Sequence, residues 1–451
     1  MFYQGDRVLG GGMDSVTRSV AVVTLGCKTN QFESAAMLEQ LVGNGYQQVD
    51  FTAGADLVIV NTCTVTAATD SQSRNLIRRA QRLNPAARIV VTGCYAQINP
   101  AELRKLPGVS LIIGNEEKKE LLSLLLQTQE NTSSETRIEV TDIRAAENCN
   151  TLDLQTFAQR SRAFVQIQNG CDAFCSYCII PYARGTSRSV AVKQVVAQIE
   201  RLGAAGYREV VLTGIHIGGY GRDFSDGTSL LTLLQAIETC EFGGRVRLGS
   251  IEPTELPPQL RDFILQKQWL CPHLHIPLQA GDDAILRRMN RHYDTAFFAD
   301  LLADLHQRQP EMALGLDVIC GFPGETEDHF SKTYRLLQQL PFSHLHVFPF
   351  SRRPGTPAAT MPDQVDPALI KQRAASLRAL GVEKLQHFSR RFIGTDLQML
   401  VEGGVNNGQH KGLSQNYLTL LIDQHQAKPG ELCQVRVINQ TRDGLTVERV
   451  N

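Results

Sequence analysis

The alternation of short apolar runs with helical stretches is the feature that most restricts how this chain can fold. Near the amino terminus, apolar runs occur at residues 19–27, 55–63 and 87–94, with helical patterns between them. Apolar strands separated by helices are typical of a parallel sheet whose two faces are both covered. The sequence therefore predicts an α/β protein that begins with an open parallel sheet.

A cysteine ends each of these three runs: Cys27, Cys63 and Cys94. In an open parallel sheet the carboxyl ends of the strands share one edge, where ligands bind, so the three thiols can converge there. The alternative is three separately buried cysteines, since cysteine is a common core residue. Their identical placement favours a shared metal site.

Six further strand and helix units follow in the middle of the chain. The predicted strands span residues 163–169, 208–214, 245–251, 273–279, 312–321 and 343–350. Repeated units of this kind predict a partial (β/α)6 barrel, with its chemistry at the carboxyl ends of the strands.

A second cysteine group, Cys171, Cys175 and Cys178, follows the first strand of the predicted barrel in the run GCDAFCSYC. Its spacing lets one tight loop present three thiolates to a metal centre. Structural zinc sites and electron-transfer iron–sulfur clusters normally have four protein ligands, so three leave one coordination position open. The alternative is three unrelated free thiols in one loop.

Polar and glycine-rich turns after successive barrel strands are the predicted contacts for a cofactor. Glycines let a bound cofactor approach the backbone closely, and hydroxyl and carboxylate groups suit ribose hydroxyls. Taken singly, each turn has an ordinary structural explanation. The predicted set is Tyr177, Thr213, Gly214, Ser250, Glu252, Gln279, Arg291, Ile319, Gly321 and Phe348.

The last part of the chain clusters β-forming residues between turn-rich joints, which predicts a small antiparallel β-barrel. Such a barrel serves either as an RNA-binding module or as a structural cap. The predicted segments are an N-terminal domain at 18–125, a linker at 126–158, the central barrel at 159–388 and the C-terminal barrel at 389–451.

Composition places the chain among soluble globular proteins. The chain has 451 residues with a formal net charge of -1. Its overall charge therefore does not indicate a nucleic-acid partner, although it permits a local basic patch. Its 11 cysteines do not form a small disulfide scaffold, and no secretory signal precedes them. Its apolar runs are too short to cross a bilayer. We therefore expect a cytoplasmic protein with no membrane partner.

Several motifs together resemble the methylthiotransferases of the radical S-adenosylmethionine (SAM) superfamily. They include TLGCKTNQFES (24–34), NTCTVT (61–66), TGCYAQ (92–97), IQNGCDAFCSYCIIPYARG (167–185), HIPLQAGDDAILRRMNR (275–291), DVICGFPGETE (317–327) and FPFSRRPGTPA (348–358). Within that family, the first and fourth stretches are most similar to the enzymes that act on N6-threonylcarbamoyladenosine in tRNA.

The resemblance implies two [4Fe-4S] clusters. Cys27, Cys63 and Cys94 would hold an auxiliary cluster, and the loop cysteines of GCDAFCSYC would hold the radical cluster. It also implies that the C-terminal segment is a TRAM domain. The implied reaction inserts a methylthio group at C2 of N6-threonylcarbamoyladenosine 37 in tRNA. SAM would serve both as methyl donor and as source of the 5'-deoxyadenosyl radical. An electron donor and a sulfur donor, both unidentified, would be partners.

Basic residues near the predicted cavity are the candidates for tRNA contacts: Arg184, Arg188, Arg352, Arg353 and Lys411. Positive charge aimed at phosphates is what RNA binding requires. The alternative is a set of solvated surface residues.

Three other functions remain open from the sequence. Two use the same chemistry on another substrate, either isopentenyladenosine in tRNA or a protein side chain. The third is an RNA-binding iron–sulfur redox sensor without catalytic activity.

Overall fold

A computed structural model describes residues 18–130, 135–149, 152, 154 and 161–450. The predicted boundary between linker and central barrel, at 158/159, lies outside the described residues. Among the residues that are described, no helix has both the length and the apolar character that a membrane crossing needs.

The N-terminal domain is a parallel sheet in the order β2-β1-β3-β4-β5-β6. Its strands are β1 (Ser19–Thr24), β2 (Gln47–Gln48), β3 (Leu57–Thr62), β4 (Arg88–Gly93), β5 (Val109–Ile113) and β6 (Arg137–Glu139). The helices are α1 (Lys28–Gly43), α2 (Ala67–Leu83), α3 (Cys94–Ile98), α4 (Pro100–Leu103) and α5 (Leu121–Glu130). Separate apolar clusters cover the two faces, which explains why every residue of β3 is buried.

One strand of this sheet lies in the segment predicted as a linker. Strand β6 pairs in parallel with β5, matching Leu111 to Arg137. Its sequence, RIE, is too short and too polar to stand out as a strand, so only pairing with β5 identifies it.

The central domain contains six parallel strands in two hydrogen-bonded groups, β11-β10-β7 and β12-β13-β14. Isolated bridges, Val246 to Leu270 and Ser250 to His275, connect the groups. The strands are β7 (Ala163–Gln166), β10 (Glu209–Thr213), β11 (Arg245–Leu248), β12 (His273–His275), β13 (Ala313–Cys320) and β14 (His344–Pro349), with β8 (Gln168–Asn169) and β9 (Arg188–Ser189) as a short antiparallel pair. The predicted partial barrel is confirmed.

Helices cover the outside of this barrel and enclose a large apolar core. They are α6 (Ile180–Arg184), α7 (Val192–Ala204), α8 (Leu230–Glu238), α9 (Pro258–Gln266), α10 (Asp283–Arg288), α11 (Thr295–Arg308), α12 (Glu327–Gln339) and α13 (Pro367–Arg390). Helix α13 packs along β14 and leads into the last domain.

The C-terminal domain is a closed five-stranded barrel in the order β15-β16-β17-β19-β18. Its strands are β15 (Asp396–Asn406), β16 (Gln409–Ser414), β17 (Thr419–Asp423), β18 (Leu432–Gln440) and β19 (Leu445–Arg449). Most pairs are antiparallel, as predicted, and one parallel pair, β17 with β19, closes the barrel. Closure leaves no free sheet edge in this small domain.

Candidate cysteine sites and the cleft between them

The three strand-end cysteines lie at the carboxyl ends of adjacent strands, β1, β3 and β4. Cys27 caps the start of α1, Cys63 follows β3, and Cys94 begins α3 directly after β4. Strand β3 pairs with both β1 and β4, so the three loops meet at one edge of the sheet. The structure therefore brings together the N-terminal trio that the sequence singled out.

Glycine precedes two of these cysteines for a steric reason. Gly26 has a φ of +93°, and a Cβ there would lie 2.8 Å from both Cβ and Sγ of Cys63. Gly93 has a φ of +95°, and a Cβ there would lie 2.3 Å from the carbonyl oxygen of Thr62. Both positions combine a left-handed backbone with close contact to the neighbouring loop, which only glycine accepts.

The trio is electrostatically coupled. Burial, followed by repulsion from Cys94 and Cys27, raises the pKa of the Cys63 thiol to about 11. Several thiols that oppose each other's ionisation need a cation to become thiolates together, and metal binding supplies it while releasing protons. The donor set of this site thus fits a metal centre.

A buried polar network ties the trio to the central domain. Arg184, at the end of α6, is fully buried and its Nε donates a hydrogen bond to Sγ of Cys94 at 3.3 Å. Arg184 also pairs with Glu33 and Asn30 of α1, and Lys118 pairs with the same Glu33.

Asn30 extends this network to the other two cysteine loops. Its Nδ2 donates to the carbonyl oxygen of Leu25 at 2.7 Å and to that of Thr62 at 3.0 Å. Leu25 lies two residues before Cys27, and Thr62 immediately precedes Cys63. One arginine from the central domain therefore supports the N-terminal site through Cys94 and Asn30.

The second trio lies in a loop that follows β7 and β8 at the top of the central barrel. The Cys171 amide donates to Gly185 O at 3.0 Å, and the Cys178 amide donates to Cys175 O at 2.9 Å. Phe174 has a φ of +43°, which turns the chain sharply between the first two cysteines. These backbone contacts hold the three cysteines in one compact loop, as their spacing in the sequence predicts.

Two cationic side chains approach the loop cysteines. Nδ1 of His216 lies 3.6 Å from Sγ of Cys171, and its Nε2 lies 2.8 Å from Glu255. Nη1 of Arg291 lies 3.4 Å from Sγ of Cys175, and Arg291 also forms a bidentate ion pair with Glu252. Positive charge beside these sulfurs suits a ligand set of negatively charged thiolates.

A cleft of about 650 Å³ lies between the loop of the second trio and the N-terminal domain. Four predicted cofactor contacts line it beside Cys178: Tyr177, Gln279, Ile319 and Phe348. Val65 and Thr66, from the loop after Cys63, line the cleft as well. The cleft thus borders the loops of both cysteine sites.

The other predicted cofactor contacts are distributed around the barrel. Glu252 and Arg291 line a neighbouring pocket with Cys175, as a cofactor site near the loop requires. Thr213 and Gly214 end β10, and Ser250 is exposed after β11. Gly321 does not line either of these pockets; a Cβ there would lie 2.3 Å from Ile370 of α13, so packing explains this glycine.

Three of the predicted tRNA contacts are buried, and the structure corrects their assignment. Besides Arg184, Arg188 is 3% exposed and donates to the carbonyl oxygens of Arg184 and Ala146. Arg353 is 6% exposed and pairs with Asp70 of α2 at 2.6 Å. Buried and paired guanidinium groups are not free for phosphates.

Arg352 and Lys411 are exposed, as a phosphate contact requires. Two polar residues near Lys411 in the sequence, Asn416 and Tyr417, contact the central domain. Asn416 donates to the carbonyl oxygen of Glu311, and the Tyr417 ring stacks on His273 with centroids 4.4 Å apart. These contacts hold the C-terminal barrel against the base of the central one.

Sequence reasoning missed His216 and Asp317 as site residues. His216 lies in the glycine-rich turn IHIGGYG, and no sequence spacing links it to the cysteine loop. Asp317 lines the cleft from β13, and its position before a glycine-rich turn is the signal that could have found it.

Comparison with known proteins agrees with these features. A sequence model of the Radical SAM superfamily matches residues 165–337, and one described as uncharacterized protein family UPF0004 matches residues 19–114. A structure of the radical SAM methyltransferase TsrM from Kitasatospora setae has a TM-score of 0.54 at 16% identity. It covers 76% of this chain and 77% of its own, and this likeness concerns the fold. The fold and the three-cysteine loop define a radical SAM enzyme.

Proteins that are similar to nearly the whole chain show to which family of radical SAM enzymes it belongs. A threonylcarbamoyladenosine tRNA methylthiotransferase MtaB from Bacillus subtilis is 39% identical over 93% of this chain and 94% of its own length. Its counterpart from Aquifex aeolicus is 37% identical over 89% and 96%, and that from Rickettsia prowazekii is 38% identical over 90% and 92%. The chain belongs to the threonylcarbamoyladenosine tRNA methylthiotransferase family.

Proposed function

We propose that this enzyme inserts a methylthio group at C2 of N6-threonylcarbamoyladenosine 37 in tRNA. SAM would be both the methyl donor and the radical source. The names of the relatives support the substrate, and the two cysteine trios support the chemistry. The auxiliary cluster would be held by Cys27, Cys63 and Cys94, and the radical cluster by Cys171, Cys175 and Cys178.

The observation that carries this proposal is the cleft shared by the two cysteine sites. Cys178 lines it, and so do Val65 and Thr66, which follow Cys63 in the N-terminal domain. An adenosine base held there would lie between a radical source and a sulfur-bearing site. That arrangement suits removal of one hydrogen and its replacement by sulfur.

When bound, the clusters and SAM supply one-electron chemistry that protein side chains lack. The protein itself contributes orientation and charge. Arg291 lies near Cys175 and pairs with Glu252, so both side chains are placed to bind polar groups of SAM. Ile319 and Phe348 give the cleft an apolar wall against which a flat purine packs.

The remaining partners follow from the substrate and the reaction. Exposed Arg352 and Lys411 are the proposed phosphate contacts, and tRNA as substrate implies a cytoplasmic location. An external electron donor and an external sulfur donor complete the reaction.

Iron counting tests the two sites directly. Anaerobic reconstitution should give about eight irons per chain, four for each three-cysteine site. Changing Cys171, Cys175 and Cys178 together to Ala should leave about half, and the N-terminal triple variant should do the same. Unchanged iron in either variant contradicts the assignment of that site.

The nucleoside profile tests the substrate. Cells that lack the protein should lose 2-methylthio-N6-threonylcarbamoyladenosine from their tRNA and accumulate the unmethylthiolated nucleoside, as mass spectrometry measures. Wild-type protein should restore the product, whereas each triple variant should not. An unaltered nucleoside profile would rule out the proposed substrate.

A further inference from the structure

A polar cluster of two histidines and one aspartate lies inside the central barrel, outside the roles already described. The residues are His275 on β12, Asp317 on β13 and His346 on β14. Alternate residues of β13, such as Leu316 and Val318, pack in the outer apolar core. Because strand side chains alternate, Asp317 faces the barrel interior together with its neighbours in the cluster.

The three side chains converge on one oxygen. Nε2 of His275 lies 2.7 Å from Oδ1 of Asp317, and Nδ1 of His346 lies 3.2 Å from the same atom. The two imidazole rings stack with centroids 5.0 Å apart. Gly315 makes room for this arrangement, since a Cβ there would lie 2.6 Å from Nδ1 of His275.

The cluster is polar and remains open on one side. The side chains of His275, Asp317 and His346 are 11%, 20% and 57% exposed. Burial opposes ionisation of Asp317, but hydrogen bonds from both histidines outweigh it and hold its pKa well below the usual range. The Asp317 carboxylate therefore faces the cleft, and the two imidazoles flank it, with hydrogen-bonding capacity left on each of the three side chains.

The cluster lies next to the cleft, one step along the strands from the apolar residues that line it. Asp317 pairs in register with His346, and two residues further along each strand Ile319 pairs with Phe348. Asp317, Ile319 and Phe348 all line the cleft, and the last two lie on the side of Cys178. The part of the cleft next to the loop of Cys171, Cys175 and Cys178 is therefore apolar, and the part deeper in the barrel is polar.

We propose that His275, Asp317 and His346 bind the polar substituent on N6 of the target adenosine and select for it. This inference rests on the proposed function and names the part of the substrate that the site reads. On adenine, N1 separates C2 from the carbon that bears N6. With C2 directed to the reacting side and the ring against the apolar wall, the N6 substituent extends towards the polar layer.

The chemistry of the substituent matches these residues. A threonylcarbamoyl group presents ureido N–H and hydroxyl donors, which can donate to the second oxygen of the Asp317 carboxylate and to the remaining ring nitrogen of His346. An isopentenyl group offers neither and would desolvate Asp317 without a new partner. The cluster therefore discriminates against an apolar N6 substituent.

The test compares two anticodon stem-loop RNAs that differ only at position 37, carrying N6-threonylcarbamoyladenosine or N6-isopentenyladenosine. The variants are His346→Phe, which keeps a ring on His275, and Asp317→Asn, which keeps the shape of the side chain. His387→Phe, on the exposed face of α13, is the matched control. Binding is measured by fluorescence anisotropy, and turnover by product formation and 5'-deoxyadenosine release after anaerobic reconstitution.

Wild-type protein should bind the threonylcarbamoyl RNA about 10–100-fold more tightly than the isopentenyl RNA. His346→Phe and Asp317→Asn should reduce that ratio by about tenfold or more, chiefly through KM, with iron content unchanged. The control should keep the wild-type ratio. Equal weakening for both RNAs, or no weakening, would overturn the inference.

Two further outcomes separate the possible failures. Selective binding without turnover would contradict the proposed function and still support recognition by the cluster. The same donor set also suits a divalent transition metal. A stoichiometric metal other than iron, found by mass spectrometry in wild type and lost in both variants, would assign the cluster to metal binding and overturn recognition.

Discussion

At the scale of single residues, contacts to sulfur explain why particular side chains stand where they do. Gly26 is a glycine because Cys63 occupies the space of its Cβ, and Arg184 is an arginine because Cys94, Glu33 and Asn30 surround it. Both residues act on the N-terminal trio although neither is a ligand. Their roles depend on distances that join separate parts of the chain.

We predict that Gly26→Ala disrupts the N-terminal site selectively. The left-handed φ costs an alanine about 1–2 kcal/mol, and the added methyl group also displaces Cys63. Reconstituted protein should hold about half of the wild-type iron. Gly45→Ala is the control, because Gly45 has a φ of +87° with nothing within 4 Å of its Cβ position. Equal iron in both variants would contradict the steric role of Gly26 beside Cys63.

Arg184→Gln should also weaken the N-terminal site, for an electrostatic reason. Removing one partner from a buried ion pair costs about 3–5 kcal/mol, and here it leaves Glu33 with Lys118 alone. We expect a lower free energy of unfolding and reduced iron, with Lys118 unable to restore the contact to Cys94. Arg335→Gln, at an exposed position on α12, should change neither quantity. Normal iron content in Arg184→Gln would argue against its supporting role.

At the scale of elements, the start of two barrel strands anchors the C-terminal domain. Glu209 on β10 is fully buried and pairs with Arg245 and Arg247 on β11. Those arginines donate to backbone carbonyls of the C-terminal barrel, at Leu413, Ser414 and Gln415 among others. One carboxylate thus balances two guanidinium groups at an interface between domains.

This triad predicts a pH dependence of stability. Burial opposes ionisation of Glu209, but Arg247 and Arg245 outweigh it and lower its pKa to about 2 from an ordinary value of 4.5. The lowered pKa contributes stability that is fully present above pH 4.5 and declines as pH falls towards 2. Glu209→Gln should therefore cost about 3 kcal/mol at neutral pH and progressively less between pH 4.5 and 3.

Urea unfolding at several pH values measures this difference. Glu238→Gln is the control, because its ion pair with Lys267 is partly exposed and should contribute little to stability. A pH-independent difference for Glu209→Gln would contradict the electrostatic explanation.

At the scale of the whole molecule, the contact between the N-terminal and central domains forms the cleft. Arg353, after β14, donates to Thr64 at 2.7 Å and pairs with Asp70, both near Cys63. The Ala67 amide donates to Ser351 at 3.0 Å beside it. These contacts set the spacing between the two cysteine sites.

Arg353→Gln should impair the reaction that needs both cysteine sites without removing iron from either site. We expect iron content and the formation of 5'-deoxyadenosine to stay near wild type, because neither trio loses a contact. Formation of the methylthiolated product should fall about tenfold or more, since a small misplacement of reacting groups has a large effect on rate. Arg308→Gln on the exposed face of α11 should match wild type. Parallel loss of iron would indicate a structural defect instead.

Much of this architecture was predictable because local patterns carried it. The apolar runs predicted β1, β3 and β4 of the N-terminal sheet and the six parallel strands of the central barrel, and the cysteines that end the first three runs predicted the N-terminal trio. Strand β6 was missed because its three residues have no apolar pattern of their own.

The sequence by itself predicted the two cysteine trios, because the spacing of the loop cysteines and the placement of the others at the ends of apolar runs are local patterns. Only the tertiary structure decided what the arginines do. Arg184 and Arg353 looked like phosphate contacts, and folding buried them against Cys94 and Asp70. These partners lie 90 and 283 residues away in the chain, and no local pattern records such contacts. The same reason hid His275, Asp317 and His346 as one cluster until the barrel brought their strands together.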